Sequence, residues 1–168
     1  MDEITLDAVV ANIETVTDFI DKILEDIECP MKVKIQIDIA IDEIFSNIVY
    51  YAYRDAAACK GADCNENTDS KEKSGNNENA RRNDNKNGKV TVQIQTCDNP
   101  KSVSITFIDS GIPYNPLETK EPDITLSAEE RQIGGLGIYM VKKNMDEMKY
   151  EYMDGKNCLT IMKFISQA

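Results

Sequence analysis

Apolar residues recur every three or four positions at Leu6, Val9, Val10, Ile13, Val16, Ile20, Ile23, Leu24 and Ile27. That spacing predicts an amphipathic helix over 6–27, beginning near Asp7. Before it, Glu3-Ile4-Thr5 reads as a short first strand. Pro30 then punctuates the chain. A second helix is expected from about Met31 to Tyr53, with Ile37, Ile41, Ile44, Phe45, Ile48 and Ala52 on its buried face. The period changes to two at 89–97, where Val90, Val92 and Ile94 alternate with polar neighbours, and again at 102–109 with Val103, Ile105 and Phe107. Two such runs joined by Asn99-Pro100-Lys101 make a hairpin.

A third helix is expected to open at Gly135-Leu136-Gly137 and to run through Ile138, Val141, Met145 and Met148. Tyr150 to Met153, the turn Asp154-Gly155-Lys156-Asn157 and Cys158 to Ile165 then form a second hairpin. Two stretches break this rhythm. Residues 54–88 contain no aliphatic side chain larger than Ala, so they cannot bury enough apolar surface to offset their ordering entropy. They read as a disordered insertion within one domain spanning 1–168. Residues 113–133 are proline-rich and charged and read as a long lid-like loop, with one helical turn near 127–130. The order of elements implies an α/β (α+β) two-layer sandwich, with helices on one face of a mostly antiparallel, mixed sheet.

Composition narrows the function classes. The formal net charge is -11. Within 54–88 the seven Lys and Arg balance the seven Asp and Glu, so that acidity belongs to the folded parts. An acidic surface repels phosphate backbones, which argues against nucleic acid; it suits basic protein partners, although a plain solubilising surface is the more common explanation of such a charge. No apolar run reaches the roughly 18 residues a bilayer crossing needs, and the acidic start MDEITLDAVV is unlike a signal peptide. A cytoplasmic protein without a membrane partner is expected. The five cysteines have no CxxC pair and read as free thiols. The chain has no histidine, which removes His-based triads and an autophosphorylating histidine.

Four features could carry chemistry. Glu43 and Asn47, in IDEIFSNIVYYAY, are one helical turn apart and emerge on one face. An Asn carboxamide oxygen can ligate Mg²⁺ beside phosphates, and a Glu one turn earlier can accept a hydroxyl proton. Asp109 ends a buried strand, where a carboxylate can accept from an exocyclic amino group such as that of adenine. Gly111, two residues on, lets a flat ring approach the backbone. Gly134, Gly135 and Gly137 open a helix whose free N–H groups suit phosphate. Taken singly, each has an ordinary explanation: a solvated polar pair, a turn after a strand, a hinge. No Gly-Lys-Ser/Thr and no GxGxxG accompanies them.

Together, and in this order, DEIFSNIVYYAY, DSGIPYNP and IGGLGIYMVKKNMDEMKYEY resemble the GHKL (Bergerat-fold) ATPases, and within them the bacterial anti-sigma-factor serine/threonine kinases. The resemblance covers nearly the whole chain outside 54–88. It implies ATP and Mg²⁺ as cofactors, Glu43 as general base and Asn47 as the Mg²⁺ ligand. It also implies Asp109 and Gly111 as adenine contacts and Gly134, Gly135 and Gly137 as the phosphate-binding glycines. Thr160 would support the adenine–water network, and Arg131 would be a lid cation, two positions earlier than the family's Arg. Asn115 stands where the family commonly has Asp, and YYAY replaces a more basic helix end.

The activity implied is transfer of the ATP γ-phosphate to a Ser or Thr of a STAS-type antagonist, in a switch that also binds a sigma factor. Homodimers are common in that family, although the sequence carries no interface signature of its own. Two other functions stay open at this point. One is an ATP-binding regulator that sequesters a partner without phosphorylating it. The other is a detached catalytic domain of a two-component system, against which DSGIPYNP and the missing histidine count.

Overall fold

Alternation along the strands sets the layers. The computed structural model describes residues 1–53, 88–118 and 136–165. The five strands are β1 (Asp2–Asp7), β2 (Lys89–Asp98), β3 (Lys101–Asp109), β4 (Glu147–Met153) and β5 (Lys156–Phe164). They form one sheet in the order β1-β2-β3-β5-β4, and every pairing among the described strands is antiparallel. In register, Ile94 faces Ile105 and Ile105 faces Ile161, while Val92 faces Phe107 and Phe107 faces Leu159. These residues are buried, so two apolar rows cross the three central strands on one face. The next row is Val90, Asp109 and Asn157, where two buried polar side chains replace the aliphatic ones.

Three helices cover that face: α1 (Ile13–Asp26), α2 (Met31–Asn47) and α3 (Leu136–Asn144). Val16, Ile20 and Leu24 of α1 join Ile37, Ile41, Ile44 and Phe45 of α2 and Ile138 and Val141 of α3 in one core cluster with the strand residues. This is the two-layer α+β arrangement expected, without the mixed pairing. Among the described residues no helix is long and apolar enough to cross a membrane.

The boundaries moved where two signals overlap. Leu6 lies on β1, which pairs with β2 as far as Asp7, and α1 begins only at Ile13 after a 3-10 turn at Val10–Asn12. The Asn12 side chain caps the strand end by donating to the Asp7 carbonyl, 2.9 Å away. At the end of α2 the chain winds on as a π-helical turn, Ile48–Ala52. Met145 and Met148 are outside α3, Met148 being on β4, and Asn157 belongs to β5 instead of to the turn. Most of the insertion (54–87), most of the lid (119–133) and the turn near 127–130 lie outside the described residues.

Candidate functional site

The polar row at the end of the sheet opens into a cavity of about 610 Å³ between the strands, α2 with its π-turn, and the start of α3. That volume is in the range of small-molecule sites. Its walls are mainly apolar or aromatic, from Ile44, Ile48, Phe107, Ile112, Tyr114 and Leu159, with a few polar groups facing in. Four of the residues expected from sequence are among the lining residues. Glu43 and Asn47 line the cavity from α2, Asp109 from β3, and Gly137 from α3.

The two helices meet at the site. A Cβ placed on Gly137 would collide with the Glu43 carboxylate at Oε2, so a side chain there would have to displace Glu43 from this position. Gly111 is more tightly constrained, because a Cβ there would run into the backbone carbonyl and Cβ of Ala52. The neighbouring Ile112 N–H donates to that same Ala52 carbonyl at 2.7 Å. The π-turn thereby presents a main-chain acceptor to the loop after β3 and holds it over the cavity. Tyr53 secures the junction a second time. Its hydroxyl donates to the Lys89 carbonyl (2.7 Å) and accepts from the Ser110 N–H (3.2 Å). Burial pushes the Tyr53 phenol up, so it stays a protonated donor.

Asp109 is 6% exposed. Burial raises its carboxyl above the ordinary value, partly offset by two donors, the Asn157 side-chain amide (2.9 Å) and the Gly111 N–H (2.8 Å). Both donate to Oδ1. Among the described residues none donates to Oδ2. The arrangement offers one buried acceptor in an apolar slot at one end. At the other end it offers a carboxylate, a carboxamide and a glycine-opened helix.

Asn157 was not legible as a site residue. Asp-Gly-Lys-Asn reads as a turn, but positive φ is confined to Asp154 (52°) and Gly155 (76°), and the strand resumes at Lys156. The signal available was phase: Asn157, Leu159 and Ile161 share one face, and all three are buried. The same phase turns Thr160 the other way. It pairs with Thr106 across β3 and β5, hydroxyl to hydroxyl at 2.9 Å, on the sheet face away from the cavity, and it does not line the site. On β5 it is Asn157, and not Thr160, that lines the cavity. Arg131, Gly134 and Gly135 lie outside the described residues.

Comparison with known proteins bears on the family and the fold. The family profile of the histidine kinase-like ATPase domain matches residues 77–163. That stretch holds Asp109, Gly111, Gly137 and Asn157, while Glu43 and Asn47 precede it. A serine/threonine-protein kinase, BtrW of Bordetella bronchiseptica, is 31% identical over 61 residues, 36% of this chain and 43% of the relative. The solved RsbU and RsbW domains of Rv1364c from Mycobacterium tuberculosis superpose with a TM-score of 0.57 at 15% identity, covering 100% of this chain and 34% of that one. The chain spans about a third of that protein, and its match to the kinase spans less than half of the relative.

Proposed function

The chain belongs to the histidine kinase-like ATPase (GHKL) family, and on that footing we propose that it is an ATP-dependent serine/threonine protein kinase acting as an anti-sigma factor. Its substrate in this reading is a STAS-type antagonist protein, whose phosphorylation switches the kinase between antagonist and sigma factor. The observation that carries the reading is the contact between Glu43 and Gly137 in a cavity that also holds Asp109. A carboxylate base, a helix opening and a base-recognising acceptor thus converge on one volume suited to a nucleotide. A similar protein that bears the name of a serine/threonine kinase supports the same assignment.

In this reading Asp109 Oδ2 accepts the adenine amino group, and Ile112, Tyr114 and Leu159 cover the ring. N–H groups at the start of α3, with Gly137 bare of a side chain, receive the phosphates. Asn47 would hold Mg²⁺ through its carboxamide oxygen. Among the described residues no group of three or more His, Cys, Asp or Glu side chains could hold a metal, so phosphate oxygens and water would supply the other ligands. The ion would neutralise phosphate charge. The Glu43 carboxylate accepts the proton of the attacking Ser or Thr hydroxyl as its oxygen bonds to the γ-phosphorus. The bond from that phosphorus to ADP then breaks, leaving its electrons on the ADP oxygen. The acidic surface would attract a basic segment of the sigma factor.

The test is label transfer from γ-labelled ATP with Mg²⁺ to the cognate STAS protein. Transfer should occur with the wild type and fall by about 10²-fold or more in Glu43→Ala, the usual range for loss of a general base. Binding of ATP and partner without transfer would sink the kinase assignment and leave a nucleotide-dependent sequestering protein. Homodimerisation is part of the same proposal, and sedimentation as a monomer would remove it.

A further inference from the structure

Every hydrogen-bonding position of the buried Asn157 carboxamide is used. Its Oδ1 accepts from the Tyr114 N–H (3.2 Å) and the Tyr150 hydroxyl (2.7 Å). Its Nδ2 donates to Asp109 Oδ1 (2.9 Å) and to the Ile112 carbonyl (3.2 Å), with the Gly111 carbonyl at 3.5 Å. A backbone N–H can only donate, so Tyr114 fixes which end of the amide is oxygen, and the nitrogen must face Asp109. Asp109 Oδ1 consequently meets only donors. The loop after β3, the β4 tyrosine and the base-binding carboxylate all converge on this one side chain.

We propose that Asn157 is a positioning residue that commits Asp109 to act as an acceptor, and so sets the selectivity of the cavity for a base carrying an amino group. The proposal rests on the nucleotide-binding reading above and adds the residue that makes Asp109 selective. With Oδ1 saturated by two N–H donors, the carboxylate offers Oδ2 to the ligand as an acceptor. A base presenting a carbonyl at the position of adenine's amino group, as guanine does, sets one acceptor oxygen against another with no proton between them and is rejected. Tyr150, held protonated because burial raises its phenol, locks the amide in place from the edge strand. The other groups that feel the Asp109 charge are Tyr53 and Cys158, and burial raises both, so both stay neutral near pH 7. Glu43 lies on the same cavity and is common to every variant compared.

Asn157→Asp supplies a test that loss of structure cannot imitate. Two carboxyl groups at this separation share one proton. With the proton on the new carboxyl, its O–H donates to Asp109 Oδ1 as the amide did. Once that proton leaves, two anions face each other and the pocket fails. Wild-type affinity for ATP with Mg²⁺ should weaken as pH falls, because Asp109 becomes protonated. The Asn157→Asp variant should instead weaken as pH rises, and taking the ratio of the two at each pH cancels the titration of ATP itself. Asn157→Leu should weaken ATP by about tenfold or more, the scale of losing a charge-assisted hydrogen bond, and narrow the preference over GTP.

Carboxyl NMR of the ligand-free protein gives a readout independent of ATP: the Asp109 midpoint should rise in Asn157→Leu. An unmoved midpoint, or an Asn157→Asp profile parallel to the wild type, overturns the positioning role. Should the wild type not bind ATP, or Asp109→Asn bind it as tightly, the nucleotide-binding reading fails while the NMR result still judges Asn157.

Discussion

Gly111 and Gly137 are both bare for the same reason, yet what stands in the way differs. At Gly137 the obstacle is the end of the Glu43 side chain, which can swing aside. At Gly111 it is the main chain of Ala52, already fixed by the Ile112 N–H. Gly137→Ala should therefore leave the melting temperature within a few degrees while, on the proposed kinase function with Glu43 as base, lowering phosphotransfer by about tenfold or more through loss of alignment. Gly111→Ala should cost about 1–3 kcal/mol of stability, as overpacking against an immovable wall does, and should weaken ATP binding with it. Urea unfolding beside a transfer assay separates the two. Glu43, Asn47 and Asp109 were legible as cavity residues because the family resemblance singled out positions that spacing puts on one helix face or at one strand end. Asn157 and Thr160 were not, because a turn-forming composition hid the strand phase that decides which of them faces the cavity.

At the scale of elements, α1 and α2 meet through a small charged cluster. Lys34 bridges Asp21 (3.1 Å) and Glu25 (2.8 Å), and the half-buried Asp38 carboxyl lies within hydrogen-bonding reach of Asp21. Burial first, then the nearby Asp21 charge, pushes the Asp38 carboxyl up from 3.8 to about 6. The folded protein therefore holds a proton there that the unfolded chain releases, and ionising Asp38 above that value works against folding. This unfavourable contribution is absent below pH 3.8, grows as pH rises, and is complete just above 6. Asp38→Asn should raise the melting temperature at pH 7.5, with the gain shrinking towards pH 4. Exposed Asp42→Asn on the same helix should change little.

The insertion is a second case at this scale. A Cβ on Gly88 would strike the Tyr53 ring, so the residues on either side of 54–87 already touch, and Tyr53 also bonds to Lys89. Replacing 54–87 by a short Gly-Ser turn should keep the melting temperature within a few degrees and leave ATP affinity unchanged, since closing a shorter loop costs less entropy. A large drop in either would show that those residues take part in the fold or the site. The helices and hairpins were legible from periodicity, and α1 was misjudged only where Leu6 served a strand and a helical pattern at once. The π-turn at Ile48–Ala52 left no trace in the pattern, because it answers to a tertiary bond, the Ile112 N–H on the Ala52 carbonyl.

Over the whole molecule, the balance of charge outweighs any single pair. The net charge of -11 is unchanged if the seven positive and seven negative groups of 54–88 are removed, so the acidity is concentrated on the remaining residues. Among the described residues the ion pairs are local: Lys34 with Asp21 and Glu25, Lys163 with Asp146, the exposed Lys149 with Glu151, and the N-terminal ammonium with Asp2. An exposed pair such as Lys149 with Glu151 contributes about 0–1 kcal/mol, whereas repulsion among the excess carboxylates acts across the surface and favours expansion. Salt weakens both, but it reaches the long-range repulsion first, since the Debye length shrinks from about 30 Å at 0.01 M to about 8 Å at 0.15 M. The melting temperature at pH 7.5 should therefore rise when sodium chloride is raised over that range, and rise equally in the protein lacking 54–87. A fall would mean that the Lys34 and Lys163 pairs matter more to the fold than the summed repulsion. A rise confined to the full-length chain would place the unfavourable charge in the insertion, against the even count of its charged residues.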